Sequence, residues 1–334
     1  MPVDQRFEAT LAAPFSVSGR GLHTNRFARV TVAPAPPGHG IRFDVAGAGA
    51  VGLSYETRAP SRLNTALRLP DGTTLRTIEH LAASLSAFGV DNALVMVEGR
   101  EMPIFDGSAR DWCAAIVQAG LTTQAAPRRL LRITRPIQVA MGQRFVRAEP
   151  AASLELDVTC ESYYAGGVQA WRGHPSAKTF AEELAASRSS GQVSRLWDFG
   201  PVATRVLAPL LRPIGRRAVA EPAGGPVANA PWPDLPTALT DGIRAGMAHP
   251  RGEPVLRGVR LGRAAIQVGP WVLGGARFPD ERVRHNALDL LGDLMLAGRP
   301  LVGRIVAHRP THKLTYAFVA TLMQSPDAYE VVEA

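Results

Sequence analysis

Short runs in the first 125 residues alternate apolar and polar side chains, a spacing that predicts β-strands with one buried face. Residues 27–33 and 92–98 show this alternation most clearly. Residues 77–88 instead carry apolar side chains at helical spacing, which predicts a helix, and Thr77 is placed to cap its N-terminus. The apolar side chains on one face of this helix are Ile78, Leu81, Leu85 and Phe88.

The second half of the chain repeats a series of strands and helices. Residues 122–129 are polar and then contain proline, so we place the boundary between two domains, 1–125 and 126–334, in this stretch. The repeated order indicates two similar layers of strands and helices. The predicted strands are 130–141, 144–148, 153–159, 264–268 and 301–307, and the predicted helices are 176–187 and 283–296.

The pattern breaks down in the C-terminal half between about residues 192 and 253. This segment holds many prolines, the run AGGP at 223–226 and little periodicity. Such composition is typical of irregular structure, so we interpret residues 192–253 as a long insertion with some short helices.

Composition and charge exclude several classes of protein. Hydrophobic residues make up 46% and charged residues 20% of the chain, as in ordinary globular proteins. The net charge of +8 comes from arginines spread along the chain rather than clustered, which argues against a nucleic-acid partner. The same charge suits a small phosphorylated substrate. No protein partner and no oligomeric state can be predicted from the sequence.

The cysteines and the apolar runs indicate the compartment. Cys113 and Cys160 are the only cysteines, and their spacing fits neither a disulfide framework nor a metal motif. The N-terminus lacks the apolar segment of a signal peptide, and no apolar run reaches the roughly 18 residues of a membrane span. We therefore expect a cytoplasmic protein with reduced thiols and no integral membrane segment.

Two groups of residues have the chemistry of a metal site. His285 and Asp289 stand four residues apart on the predicted helix 283–296, so they share one face, with Asp293 one turn further on. Imidazole nitrogen and carboxylate oxygen both suit zinc, and their apolar surroundings make unpaired polar groups costly. A surface helix that carries a His–Asp contact remains the alternative.

The second group is Glu79-His80 near the start of the predicted helix 77–88. Adjacent helical residues diverge by about 100°. His80 could therefore bind a metal while Glu79 reaches a water beside it, as in hydrolytic zinc sites. Alternatively, Glu79 only complements the positive end of the helix dipole.

Several separated strings resemble, in order, those of the UDP-3-O-acyl-N-acetylglucosamine deacetylase family, and together they cover most of the chain. No single string is sufficient, but their joint order is highly specific. The strings are GRGLHT at 19–24, TIEHL at 77–81, GVDN at 89–92, EMPIFDGSA at 101–109, and FPDERVRH at 278–285 followed by Asp289 and GDL at 292–294.

The resemblance implies a set of zinc ligands and a general base. His80, His285 and Asp289 would bind Zn²⁺, and Glu79 would accept a proton from the attacking water. Three protein ligands leave an open position for water, whose pKa zinc lowers to about 7.

The resemblance also implies a general acid. His312 would protonate the departing amine; it lies in PTHKL, where Thr311 replaces a glycine of the family motif. Asp293 would orient His312 and favour its imidazolium form, since a nearby carboxylate raises the pKa of a histidine. His308 is the rival candidate for the acid.

Two further residues are implied to face the substrate. Ser189 keeps the hydroxyl of a family threonine that helps to stabilise the oxyanion, although it could be an ordinary serine at a helix end. His23 would contact substrate, although Asn25 replaces the usual glycine and a surface-loop histidine is the alternative. We read 106–108 as a tight turn without chemistry, because Asp, Gly and Ser are turn residues.

This sequence departs from the family pattern at the substrate-binding wall. Asn286 stands where the family carries a lysine near the substrate, so it can donate hydrogen bonds but supplies no charge. Residues 160–171 lack the expected pattern, and the 192–253 insertion is longer than the segment that forms the acyl passage. The acyl tunnel is therefore expected to be altered or absent.

The resemblance implies an α+β fold of two similar domains, each with helices packed against or between β-sheets, and an active site at the domain junction. The implied function is zinc-dependent hydrolysis of the N-acetyl amide of UDP-3-O-acyl-N-acetylglucosamine, which releases acetate in the committed step of lipid A biosynthesis. Two alternatives remain open: the same deacetylation of another N-acetylated sugar nucleotide, and a catalytically silent zinc protein that binds an acyl-sugar.

Overall fold

Two five-stranded sheets with the same topology form the framework of the protein. The computed structural model describes residues 4–61, 63–162, 167–192, 258, 263–268, 271–273 and 275–334. Nearly all of the insertion predicted at 192–253 therefore lies outside the described residues, and the expectation of an altered or absent acyl tunnel falls on the same segment.

The strands of the N-terminal half carry the labels β1 to β10. They are β1 (Phe7–Leu11), β2 (Phe15–Arg20), β3 (Phe27–Pro34), β4 (Ile41–Val45), β5 (Gly49–Gly52), β6 (Arg58–Ala59), β7 (Ala66–Arg68), β8 (Thr74–Arg76), β9 (Ala93–Glu98) and β10 (Leu121–Pro127).

The strands of the C-terminal half follow as β11 to β21. They are β11 (Arg129–Ile133), β12 (Ile137–Met141), β13 (Arg144–Glu149), β14 (Glu155–Ser162), β15 (Gly167–Gly173), β16 (Ser190–Gln192), β17 (Ala265–Val268), β18 (Trp271–Leu273), β19 (Leu301–Val302), β20 (Arg304–His308) and β21 (Tyr329–Glu333).

Among the described residues, five helical segments connect these strands. They are α1 (Glu79–Ala87), α2 (Arg110–Ala119), α3 (Ala177–Thr179, continued by a π-helical turn at Phe180–Leu184), α4 (Glu281–Leu294, continued by a 3₁₀ turn at Met295–Ala297) and α5 (His312–Met323); a further 3₁₀ turn covers Pro326–Ala328. None of these described helices is both long and apolar enough to cross a bilayer.

The order of strands is the same in the two large sheets. The first sheet runs β2-β3-β9-β4-β5 and the second β12-β13-β20-β14-β15. In each, the third strand pairs in parallel with the fourth, as Phe43 with Val95 and Val158 with Ala307, and the other pairs are antiparallel. One helix precedes the central strand and one follows it: α1 and α2 flank β9, and α4 and α5 flank β20. The predicted α+β fold with two similar halves is therefore confirmed.

Each sheet buries one face against the helices. In β3 and β9 the buried positions alternate along the strand, as the period of two in the sequence predicts. Helix α1 is buried on nearly all sides, because it also packs on α4 and α2. Gly292 on α4 permits this contact, because a Cβ atom there would lie 2.2 Å from the carbonyl oxygen of Glu79.

The part of the chain that the structure describes also forms four smaller sheets: β1-β10, β6-β7-β8, β19-β11-β21 and β16-β17-β18. Strand β10 occupies most of the polar stretch 122–129, where it pairs antiparallel with β1. The segment predicted to hold the domain boundary is thus mainly a strand, and the boundary between 125 and 126 stays a prediction.

Two predicted strands are each divided in the structure. The predicted strand 130–141 is β11 and β12, separated at Pro136, which has no N–H to donate to a ladder. The predicted strand 301–307 is β19 and β20, separated by Gly303 at φ 156°. A Cβ atom on Gly303 would lie 2.7 Å from Ile133, so the bend brings two strands close together.

The predicted cap of the first helix is wrong. Helix α1 begins at Glu79 with Ile78 as its N-cap residue, and Thr77 has the left-handed φ of 62°. The Thr77 hydroxyl donates to Glu101 Oε1 at 3.4 Å instead of accepting from the helix. The sequence analysis also missed α2 and α5. In α5 the Thr311 hydroxyl accepts from Leu314 N, which makes His312 the first helical residue.

Candidate active site

The three predicted metal ligands meet where α1 packs on α4. His80 lies on α1, and His285 and Asp289 lie one turn apart on α4. Asp289 Oδ1 is 3.7 Å from His80 Nε2 and 3.4 Å from His285 Nε2. The ligand atoms of the three residues all lie within 4.8 Å of one another. Two imidazole nitrogens and one carboxylate oxygen form a donor set that suits zinc.

The tautomer of His285, the burial of both histidines and the buried Oδ1 atom of Asp289 suit this cluster to metal coordination. The Nδ1–H group of His285 donates to the Ser187 carbonyl oxygen at 3.1 Å, so Nε2 carries the lone pair in the neutral ring. Burial and the neighbouring His285 lower the pKa of His80 to about 4, which keeps it neutral. Asp289 Oδ1 is buried and has no hydrogen-bond partner among the described residues. The residues therefore fit a bound metal ion.

Glu79 stands beside this cluster with its carboxylate buried. Burial raises the pKa of Glu79 to about 8; the charge of His312 opposes this shift, and the carboxylate of Asp289 adds to it. The Thr65 N–H group donates to Glu79 Oε2 at 3.0 Å. Glu79 Oε1 lies 3.9 Å from His312 Nε2.

His312 faces Glu79 and Asp289 from the start of α5. Its Nδ1–H group donates to Asp293 Oδ2 at 2.9 Å, and its Nε2 lies 3.7 Å from Asp289 Oδ2. Burial opposes the charged ring, but Asp293 outweighs it and raises the pKa of His312 to about 10. The imidazolium form therefore dominates near neutral pH.

Glu79, Asp289 and His312 form a second group whose oxygen and nitrogen atoms lie within 4.8 Å of one another. An imidazolium ring has no lone pair for a metal, so this group is a poorer metal site than the cluster with His80. The rival acid His308 lies on β20, where it contacts Thr159 Oγ1 at 2.9 Å.

Ser189 lies against the nitrogens of the two candidate metal-ligand histidines. Its Oγ atom is 3.2 Å from His285 Nε2 and 3.5 Å from His80 Nε2. The Ser189 N–H group donates to the Gly107 carbonyl oxygen at 2.6 Å, which holds the backbone of Ser189 in place. Gly107 belongs to the tight turn predicted at 106–108, and Asp106 Oδ1 closes that turn by accepting from Ser108 N at 3.0 Å.

The two predicted substrate-binding residues differ in burial. His23 is buried, so the alternative of a surface-loop histidine is wrong. Its backbone N–H donates to Glu101 Oε1 at 2.6 Å, while its ring Nε2 has no hydrogen-bond partner among the described residues. Burial lowers the pKa of His23. Asn286 is half-buried beside His285 on α4.

The sequence analysis missed residues that hold the site together. Glu281 accepts from Arg188 N at 3.0 Å and from Arg188 Nε at 2.8 Å, which ties the segment before Ser189 to the first turn of α4. Thr65 contacts both Glu79 and Asp293. Because Thr65 is 228 residues from Asp293, local spacing carries no signal for this contact.

Fold and site define a class: an α+β protein of two similar halves with a candidate metal centre where a helix from each half meets. The sequence model of the UDP-3-O-acyl N-acetylglycosamine deacetylase family matches residues 8–200 and 235–324. The chain belongs to this family, as the motifs predicted.

Curated relatives agree with this assignment. The UDP-3-O-acyl-N-acetylglucosamine deacetylase of Phenylobacterium zucineum is 33% identical over 330 residues, which cover 97% of this chain and 96% of that protein. The enzyme of the same name from Myxococcus xanthus is 30% identical over 98% of this chain and 90% of its own length. That of Solibacter usitatus is 30% identical over 98% and 95%.

Proposed function

We propose that the protein is a zinc-dependent amidohydrolase that removes the N-acetyl group of UDP-3-O-acyl-N-acetylglucosamine and releases acetate. This reaction would be the committed step of lipid A biosynthesis, and it would take place in the cytoplasm on a small-molecule substrate. One observation carries the proposal: His80, His285 and Asp289 converge beside Glu79, with the ring of His312 opposite. Family membership supports the choice of substrate.

His80, His285 and Asp289 would hold the zinc ion. When bound, zinc supplies Lewis-acid polarisation of a carbonyl and makes water nucleophilic near neutral pH. A divalent cation near Glu79 also favours its ionised form, since an opposite charge lowers the pKa of a carboxyl group. Glu79 can then act as a base although burial alone raises its pKa.

Glu79 and His312 would move the protons of the reaction. Glu79 Oε1 accepts a proton from the water that attacks the acetyl carbon, because Oε2 is already held by Thr65. His312 Nε2–H donates a proton to the amide nitrogen as the C–N bond breaks, and the amino sugar leaves as a free amine. Asp293 holds the ring of His312 by its Nδ1–H group.

Three further residues would act on the substrate. The Ser189 hydroxyl lies beside the ligand nitrogens, where a donor can stabilise the negative charge on the carbonyl oxygen. The unpartnered ring Nε2 of His23 and the amide of Asn286 would bind the sugar or its substituents.

A second candidate is the deacetylation of another N-acetylated sugar nucleotide. Asn286 favours it, because it replaces the positive charge expected beside the substrate with a neutral amide. The same replacement, with Ser189 in place of threonine, also motivates a third candidate, a silent zinc protein that binds an acyl-sugar.

Metal analysis and a deacetylation assay separate these functions. We expect about one zinc ion per chain and release of acetate from the acylated UDP-sugar but not from UDP-N-acetylglucosamine. Turnover without preference for the acyl chain supports the second function. Bound zinc without turnover of either compound supports the third.

Two variants test the site itself. Glu79→Gln keeps the shape of the side chain and removes the base, so zinc should remain while kcat falls by about 10²- to 10⁴-fold. His80→Ala should lose the zinc. Full activity of Glu79→Gln would exclude it as the base.

A further inference from the structure

Thr65 makes hydrogen bonds to the start of α1 and to two residues of the candidate active site. It lies immediately before β7 and is 2% exposed. Its carbonyl oxygen accepts from Ile78 N at 3.2 Å, at the start of α1. Its N–H group donates to Glu79 Oε2 at 3.0 Å, and its hydroxyl donates to Asp293 Oδ1. A single residue thus contacts both the proposed base and the carboxylate behind the proposed acid.

The backbone contact determines which oxygen of Glu79 is available. Oε2 is occupied by the Thr65 N–H group, whereas Oε1 faces His312 Nε2 at 3.9 Å. A carboxylate held at one oxygen keeps its orientation, so the other oxygen stays directed at the centre of the site. No side-chain substitution at position 65 removes this N–H donor, except one to proline.

The hydroxyl contact determines the orientation of Asp293. An ionised carboxylate only accepts hydrogen bonds, so the single hydroxyl proton of Thr65 must point at Asp293 Oδ1. The other oxygen, Oδ2, accepts from His312 Nδ1 at 2.9 Å. The same Nδ1 atom lies 3.2 Å from Oδ1 and 3.3 Å from the Thr65 hydroxyl oxygen. Asp293 is 1% exposed, and water is a poor substitute donor at that depth. Without the hydroxyl, Asp293 Oδ1 loses this donor, and we expect the carboxylate and the ring of His312 to shift together.

We propose that Thr65 is a positioning residue for proton transfer. It acts on Glu79 through its N–H group and on His312 through its hydroxyl, which donates to Asp293 and lies 3.3 Å from the ring Nδ1 atom. This inference rests on the proposed function, because it assigns Thr65 a task in the same reaction. It adds a residue that belongs to none of the motifs on which the family resemblance stands.

The hydroxyl can be removed without a change of shape. Thr65→Val keeps the branched side chain and the N–H group, and Thr65→Ser keeps the hydroxyl. We expect Thr65→Val to lower kcat by about 10- to 100-fold, with zinc content and KM close to wild type. Thr65→Ser should recover kcat to within about threefold. Equal losses in the two variants would show that packing, not the hydroxyl, matters.

A matched control comes from a second buried threonine. Thr10 is 4% exposed, and its hydroxyl donates to the Asn92 carbonyl oxygen at 2.6 Å, in strand β1. Thr10→Val loses the same group outside the site. It should lower the midpoint of thermal unfolding as much as Thr65→Val does while kcat stays unchanged. A similar fall of kcat in Thr10→Val would overturn the proposal.

A double-mutant comparison tests whether the hydroxyl acts through His312. In the His312→Gln background the proton donor is already absent, so Thr65→Val should lower the remaining kcat by less than about threefold. The same 10- to 100-fold loss in both backgrounds would show that the hydroxyl does not act through this ring.

A spectroscopic measurement separates this inference from the proposed function. The Nδ1–H proton of His312, assigned with His312→Gln, should give a downfield NMR signal in the wild-type protein. It should shift or broaden in Thr65→Val and return in Thr65→Ser, whatever the substrate is. An unchanged signal in Thr65→Val overturns the inference, whereas wild-type protein that releases no acetate overturns only the proposed function.

Discussion

At the scale of single residues, two histidines of the same site differ in their charge. Burial lowers the pKa of His80 to about 4, while Asp293 raises that of His312 to about 10. One imidazole is therefore neutral and able to bind a metal, and the other is charged and able to donate a proton. The two roles follow from the neighbours of each ring and not from its residue type.

Replacement of Asp293 should change the pH dependence of the reaction. In the proposed mechanism His312 donates its proton as imidazolium, so activity should be lost as pH rises through the pKa of His312. Asp293→Asn removes the charge that raises this pKa, and the alkaline limb of the kcat profile should move to lower pH. The check is kcat measured from pH 6 to pH 10 at saturating zinc. If the alkaline limb does not move in Asp293→Asn, it reports the titration of a group other than His312.

Ser189 should contribute through its hydroxyl. Ser189→Ala is expected to lower kcat by about 10²- to 10³-fold, because a donor aimed at the developing oxyanion is lost. Ser189→Thr restores a hydroxyl at the same carbon and should keep most of the activity. Steady-state kinetics and metal analysis of both variants check this. If Ser189→Ala loses zinc, the residue acts on the metal site instead.

At the scale of elements, the site depends on the contact between α1 and α4. Helix α1 supplies Glu79 and His80, and α4 supplies His285, Asp289 and Asp293, so their separation determines the ligand distances. Gly292, where α4 crosses α1, is the first residue of the motif GDL at 292–294. The glycine is therefore part of the site geometry, although it has no side chain.

Gly292→Ala should destabilise the protein and weaken metal binding. The added Cβ atom would lie 2.2 Å from the Glu79 carbonyl oxygen, and a backbone atom cannot rotate away. Overpacking costs about 1–3 kcal/mol, more than the ~1 kcal/mol that alanine gains over glycine in a helix. Urea unfolding and zinc titration measure both effects.

The matched control for this variant is Gly52→Ala. Gly52 ends β5, and apart from its two chain neighbours no described residue has an atom within 4 Å of the Cβ atom that alanine would add. Its unfolding free energy and zinc affinity should stay within about 0.5 kcal/mol of wild type. If Gly292→Ala and Gly52→Ala have the same unfolding free energy and zinc affinity, α1 and α4 can move apart without loss of stability.

At the scale of the whole molecule, the two sheets repeat one order of strands and one placement of helices. Helices α1 and α4 are equivalent in this repeat, since each precedes the central strand of its sheet. The candidate site therefore lies where equivalent elements of the two halves meet. Neither half alone contains both His80 and the pair on α4.

Both cysteines should report global unfolding. Cys113 and Cys160 are buried and free, burial raises the pKa of Cys113 to about 12, and burial also raises the pKa of Cys160. At pH 8 the native protein should react slowly with a thiol reagent, and two thiols per chain should react in urea. Fast labelling of the native protein would reveal local opening.

The sequence by itself predicted the parts of the fold that local physics controls. Residues 27–33, 92–98 and 283–296 form a strand, a strand and a helix close to the predicted limits, because alternation and helical spacing report which face is buried. The motif order also identified the family, since separated strings in one order rarely match by chance.

Tertiary structure alone decided what depends on distant contacts. Thr77 is not a cap because Glu101 takes its hydroxyl, and the predicted strand 301–307 divides at Gly303 because β11 packs there. The task of Thr65 arises only when residues 65, 79 and 293 meet. Spacing along a chain determines which side chains share a face, but packing between elements determines which faces meet, and no local pattern records that.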